Sequence, residues 1–77
     1  MEIKILFFGP LAELSGKTSL TLEDIPDTDS LLNQLLKQYP AISGRPYLVA
    51  VEKDIIQANT PLKHGDTVAL LPPYAGG

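Results

Sequence analysis

The sequence of 77 residues is 44% apolar and carries a net charge of −3, which predicts one small packed domain rather than a disordered chain. It has only six Lys and Arg and no basic run, so we expect no nucleic-acid partner. It has no cysteine, which excludes disulfides, thiolate metal sites and sulfur carried on a cysteine side chain.

The first predicted element is a strand over residues 2–8. Its alternation puts Ile3, Ile5 and Phe7 on one face, which we expect to be the core face, and leaves Phe8 on the other face near the strand's end. The run is too short to span a membrane and lacks a basic signal-peptide region. We therefore expect a cytoplasmic protein without a membrane partner.

A short helix, a strand and one long helix follow. Residues 10–16 begin with Pro and end with Gly, as helices often do, and residues 18–23 alternate as a strand antiparallel to the first. The acidic segment 27–29 supplies N-cap candidates for the long helix, which Pro40 ends. That helix has an apolar stripe that must cover the sheet, formed by Leu31, Leu32, Leu35, Leu36 and Tyr39.

The second half predicts three strands. Residues 42–46 indicate a loop, and residues 47–51 are so apolar that we expect a central strand buried on both faces. The short segment 55–56 and the final strand 67–71 follow, and the first and last strands would pair in parallel across the middle of the sheet. The fold class is α+β: a β-grasp (ubiquitin-like) domain over residues 1–71, with a mixed sheet of about five strands and one main helix.

Side chains offer little chemistry. His64 is the single histidine, and without cysteine or a carboxylate cluster beside it we interpret it as a solvated turn residue. The acidic segment 27–29 is better explained by helix capping than by cation binding. No Gly-rich loop has phosphate-binding spacing, so we expect no metal and no cofactor bound by this chain.

The remaining candidate is a flexible tail over residues 72–77. Pro72 and Pro73 have no N–H and a fixed φ, so they end the strand and direct the tail away from the sheet. Six extended residues reach roughly 20 Å, and Gly76 and Gly77 have no side chains to obstruct a narrow channel. A frayed, glycine-ended terminus is the alternative interpretation.

Specific motifs lie at both ends of the chain: ILFFG at 5–9, LAELSG at 11–16, PL at 61–62, GDTVALLPP at 65–73 and GG at 76–77. They resemble the small subunit of molybdopterin synthase, of the ubiquitin-like sulfur-carrier family, and the resemblance runs the full length. One departure is that the family commonly has Val-Asn where this chain has Val51-Glu52.

The resemblance implies a sulfur carrier that catalyses nothing alone. A separate ATP-dependent adenylating enzyme would convert the Gly77 carboxylate, next to Gly76, into an acyl-adenylate, and sulfur transfer would give a thiocarboxylate. Within the large synthase subunit this group would donate sulfur to cyclic pyranopterin monophosphate for the dithiolene of molybdopterin. Two carriers would be consumed per dithiolene, and the complex would be a heterotetramer.

The resemblance also implies partner-binding residues. Phe8, Ile55 and Leu71 would form an apolar patch around the root of the tail, at positions that lie at partner interfaces in the family. For Ile55 and Leu71, ordinary burial is the alternative. The other partner-binding residues lie in the tail, where Pro72 and Pro73 would aim it and Tyr74 and Ala75 would fill the channel that receives it.

Two other functions fit the same sequence. One is a related thiocarboxylate carrier serving thiamine, cysteine or tRNA thiolation, and the other is a ubiquitin-like modifier conjugated to lysines. The start of the chain over residues 7–16 favours the molybdopterin carrier over the shorter thiamine carriers. A modifier would use the same Gly-Gly end.

Overall fold

The computed structural model describes residues 1–73, which contain five strands, two α-helices and one 3-10 helix. Their order agrees with the predicted one. The elements are β1 (Glu2–Phe7), α1 (Pro10–Ser15), β2 (Ser19–Glu23), α2 (Thr28–Gln38), the 3-10 helix (Pro40–Gly44), β3 (Leu48–Val51), β4 (Asp54–Ile56) and β5 (Thr67–Leu71).

The strands form one mixed sheet in the order β2-β1-β5-β3-β4. β1 and β5 are parallel neighbours, with Leu6 opposite Ala69, and the other pairs are antiparallel. A parallel pair needs a crossover, and here the chain between the two strands supplies it. This arrangement is the predicted β-grasp fold.

The core lies between one face of this sheet and α2. Most of the apolar side chains that are at most 3% exposed come from β1, β5 and α2, and α1 and the 3-10 helix add one each: Ile3, Ile5, Phe7, Val68, Leu70, Leu31, Leu35, Leu11 and Ile42. Fully burying one such side chain stabilises the fold by about 1.5–3 kcal/mol. The rest of the predicted helix stripe, Leu32, Leu36 and Tyr39, packs at the edge of this core.

Helix α2 begins and ends at the predicted signals. The Asp27 carboxylate accepts a hydrogen bond from the Ser30 N–H at 2.8 Å, and Pro40 follows the last residues of the helix. This bond favours the ionised carboxylate and lowers the pKa of Asp27 below its ordinary value. Capping thus accounts for the acidic segment.

Two predictions about the second half were wrong. β5 is the central strand, and β3 is second from the edge, with only Ala50 of its residues fully buried. The predicted loop overlaps the 3-10 helix, because Ile42 is apolar enough to be drawn completely into the core.

His64 has a partner that the turn interpretation did not include. It is exposed, as predicted, but its Nδ1 accepts a hydrogen bond from the Glu2 N–H at 2.9 Å. The neighbouring Gly65 N–H donates to the Glu2 carbonyl oxygen at 2.8 Å. His64 therefore helps to hold the start of β1 beside the loop that leads into β5.

Candidate functional site

The outer face of the sheet, opposite α2, carries the candidate site. Side chains alternate along β1 and β5, so the inward residues Val68 and Leu70 of β5 leave Ala69 and Leu71 facing outward. On β1 the same alternation turns Leu6 outward. Phe8 follows the end of β1, where its N–H still donates to the Leu70 carbonyl oxygen at 3.1 Å.

An apolar groove of about 660 Å³ lies on this face. Ala50 of β3 is directly opposite Ala69 of β5, so two small side chains adjoin in the middle of the sheet. Larger apolar side chains surround them, and the surface is concave as a result. The groove is lined by Leu6, Phe8, Ala50, Glu52, Lys53, Ile55, Thr67, Ala69 and Leu71.

The structure brings together the three residues predicted to form an apolar patch. Phe8 is 44% exposed and Ile55 is 49% exposed, so neither is an ordinary core residue, and Leu71 is half-buried beside them. Sequence reasoning missed Leu6, Ala50 and Ala69. Alternation alone could have found Leu6 and Ala69, whereas Ala50 requires knowledge of the strand register.

A charged turn forms one rim of the groove. Glu52 and Lys53 connect β3 to β4, and both have positive φ, at 48° and 73°. Two hydrogen bonds hold this turn: the Glu52 carboxylate accepts from the Thr67 N–H at 2.6 Å, and the Glu52 N–H donates to the Thr67 carbonyl oxygen at 2.9 Å. Glu52, at the position where the family that the sequence resembles commonly has Asn, thus has a hydrogen-bond partner within the fold.

The predicted tail leaves the sheet at the other end of the groove. β5 ends at Leu71, and Pro72 lies against Gly9, where a side-chain Cβ would come within 3.0 Å of the proline Cγ. Gly9 has a φ of 57°, so the backbone turns here without a side chain in the way. Pro72 and Pro73 are half-buried, and the predicted channel and reactive residues Tyr74, Ala75, Gly76 and Gly77 lie outside the described residues.

The feature that stands out in the described residues is the exposed apolar groove. Residues 1–73 contain no group of three or more His, Cys, Asp or Glu that could hold a metal ion. Within the same range no helix is long and apolar enough to cross a membrane. An exposed apolar groove on a small domain is typical of a protein–protein contact surface.

Comparison with known proteins finds relatives that match along the whole chain. The molybdopterin synthase sulfur carrier subunit of Chlamydomonas reinhardtii is 34% identical in an alignment of 83 positions that covers all of both chains. A chain in the solved complex of subunits 1 and 2 of the molybdopterin-converting factor from Helicobacter pylori 26695 is 30% identical, with a TM-score of 0.76 and complete coverage of both chains. SAMP1 from Haloferax volcanii, 21% identical with a TM-score of 0.81 over both whole chains, has the same fold.

The family model for ThiS matches residues 5–77, which includes the groove, the root of the tail and the final Gly-Gly. Together with the full-length relatives, this match establishes the relationship over nearly all of the sequence. The chain therefore belongs to the ThiS family.

Proposed function

We propose that this chain is the sulfur carrier subunit of a molybdopterin synthase. The observation that carries the proposal is the position of the exposed apolar groove. It is lined by Phe8, Ile55 and Leu71 and adjoins the root of a tail that ends in Gly-Gly. A partner that docks on the groove would receive the tail in the same contact.

The reactive group in this proposal is the Gly77 carboxylate. A carboxylate is a poor acyl electrophile, so a separate adenylating enzyme would join it to the α-phosphorus of ATP and release pyrophosphate. Hydrosulfide from a sulfur donor would then add to the acyl carbon and expel AMP, which leaves a thiocarboxylate. Since the chain has no cysteine, the sulfur has no side-chain thiol to occupy.

The partner in the proposal is the large synthase subunit. The relative from Helicobacter pylori was solved as a complex of subunits 1 and 2. We propose the same kind of pairing here, with the groove against the large subunit and the tail in its active site. There the thiocarboxylate would supply sulfur for the dithiolene, and two carriers would be consumed per product in a heterotetramer.

Intact-mass measurement tests the reactive group. The protein isolated from its own cells during active cofactor synthesis should include a fraction in which one oxygen at Gly77 is replaced by sulfur. Finding only the carboxylate form under those conditions would contradict the proposal. Covalent isopeptide links from Gly77 to many lysines would instead support a protein modifier.

Reconstitution tests the pathway. The chain, an adenylating enzyme, ATP and a sulfur source should yield molybdopterin when the large subunit and the pterin precursor are added. Deleting Gly77 should abolish the product without changing the unfolding midpoint, because the core lies in residues 3–70. Product formation by the shortened chain would disprove the role of Gly77.

A further inference from the structure

A second, smaller cleft lies at the root of the tail. Its volume is about 220 Å³, and it is separate from the apolar groove. Four of its six lining residues are prolines, whose fixed φ angles make the walls stiff. The lining residues are Pro10, Leu11, Arg45, Pro46, Pro72 and Pro73.

Arg45 is the only charged residue in this lining and the only arginine of the chain. Its backbone is held at the end of the 3-10 helix, where its N–H donates to the Ile42 carbonyl oxygen at 3.2 Å. Its side chain is exposed, and the ion pairs found within residues 1–73 all involve the amino group of Met1. Among residues 1–73, no carboxylate forms an ion pair with the guanidinium.

The groove and the cleft adjoin the same short segment. Leu71 lines the groove, and the next two residues, Pro72 and Pro73, line the cleft. A protein that encloses an extended chain up to its root contacts that root on more than one side. We propose that Arg45 pairs with an Asp or Glu carboxylate at the mouth of the large subunit's channel, an inference that rests on the proposed function.

The length of the Arg45 side chain favours a carboxylate at the channel mouth over the phosphate of a nucleotide as its partner. The four residues that follow Pro73 extend to roughly 14 Å, which is longer than an arginine side chain, so a nucleotide joined to Gly77 in an extended tail is out of range. A guanidinium also matches a carboxylate with two parallel hydrogen bonds. As the only charged residue in the lining of the cleft, Arg45 would orient an acidic mouth toward the tail.

Binding titrations with the purified large subunit and the full chain test the proposal. Arg45→Glu should weaken the affinity by roughly tenfold at low salt, with a smaller loss at high salt, because rim charges act mainly through screened electrostatics. Arg45→Lys should lose about threefold, since it keeps the charge but not the two-pronged geometry. Lys63→Glu is the matched control: it makes the same charge change in an exposed residue before β5, at the opposite end of that strand from the tail.

The outcomes separate this inference from the proposed function. Arg45→Glu and Lys63→Glu should keep the wild-type unfolding midpoint, because both side chains are exposed. If the two variants bind equally well while Phe8→Asp binds poorly, the Arg45 contact is wrong and the groove contact stands. If the unmodified chain does not bind the large subunit at all, both ideas are overturned.

Discussion

Gly9 shows how one residue connects the fold to the root of the tail. Its φ is 57°, a region that favours glycine, and a Cβ there would lie 3.0 Å from Pro72 Cγ. The substitution Gly9→Ala therefore combines backbone strain with a close contact. We expect it to lower the free energy of unfolding by about 1–3 kcal/mol, as measured by urea denaturation.

The matched control for Gly9 is Gly44→Ala. Gly44 has no positive φ, and a Cβ there meets no atom within 4 Å. We expect a change within about 0.5 kcal/mol for this surface substitution. Equal stability of the Gly9 and Gly44 variants would show that the contact between Gly9 and Pro72 does not constrain the fold.

Two residues, His64 and Glu52, have hydrogen-bond partners that could not be predicted from the sequence. The imidazole of His64 accepts from a backbone N–H that is 62 residues away in the sequence, and the Glu52 carboxylate accepts from an N–H 15 residues away. Such partners depend on how distant segments meet. Local turn signals predicted the exposure of His64 but could not identify its partner.

At the scale of elements, the start of α2 gives a pH prediction. The hydrogen bond from the Ser30 N–H lowers the pKa of Asp27 in the folded state, so Asp27 stabilises the fold when it is ionised. This stabilisation is complete above the unfolded-state pKa of about 3.9 and is lost as the pH falls through the lower folded-state pKa. Asp27→Ala should therefore be less stable than wild type at pH 7, and the difference should shrink in acid.

Unfolding curves of Asp27→Ala and Asp27→Asn at several pH values measure this effect. The Asn side chain can still cap the helix through its carbonyl oxygen but does not ionise near this pH. It should therefore remain more stable than Asp27→Ala at every pH. A constant gap between wild type and Asp27→Ala down to strong acid would contradict the ionised cap.

The turn between β3 and β4 gives a second prediction at this scale. Lys53 has a φ of 73°, where a side chain is unfavourable and tight hairpins usually have glycine. Lys53→Gly should raise the free energy of unfolding by about 0.5 kcal/mol, since relief of the left-handed conformation exceeds the entropy lost by glycine. Denaturant midpoints are sensitive enough to detect this change.

Lys63→Gly is the control for that turn. Lys63 is also exposed but has no positive φ, so glycine brings only its entropic cost of about 0.5–1 kcal/mol. The two glycine variants should shift stability in opposite directions. If both lower it, the charged turn is not strained.

At the scale of the whole molecule, one face of the sheet packs against the core and stabilises the fold, and the other face carries the groove proposed for docking. The strand β3 shows this division and also explains a wrong prediction. Its nearly continuous apolar run suggested burial on both faces, yet Val49 and Val51 pack on the core, whereas Ala50 faces the groove. An apolar docking surface gives the same sequence pattern as a second buried layer.

Much of the fold followed from alternation, capping and proline signals, because these act locally. Alternation predicted that Phe7 would be buried and Phe8 exposed, and the structure confirms both. The pairing of β1 with β2 and with β5 was predicted and is confirmed. The place of β3 and the pairing of Ala50 with Ala69 did not follow, because register is decided by contacts between distant segments. The apolar residues around the groove were therefore predictable, but the concave surface formed over Ala50 and Ala69 was not.

The separation of the two faces leads to a paired test. Leu70→Ala removes a completely buried side chain and should cost about 2–5 kcal/mol of unfolding free energy, which is a large share of the stability of so small a domain. Phe8→Asp changes a side chain that is 44% exposed and should cost about 1 kcal/mol or less.

In titrations with the large subunit, the order of the two variants should reverse. Phe8→Asp should lose most of its affinity because it buries a charge in the apolar contact, while folded Leu70→Ala should bind nearly as well as wild type. If Phe8→Asp binds normally, the groove is not the docking surface, and the exposure of Phe8 and Ile55 needs another explanation.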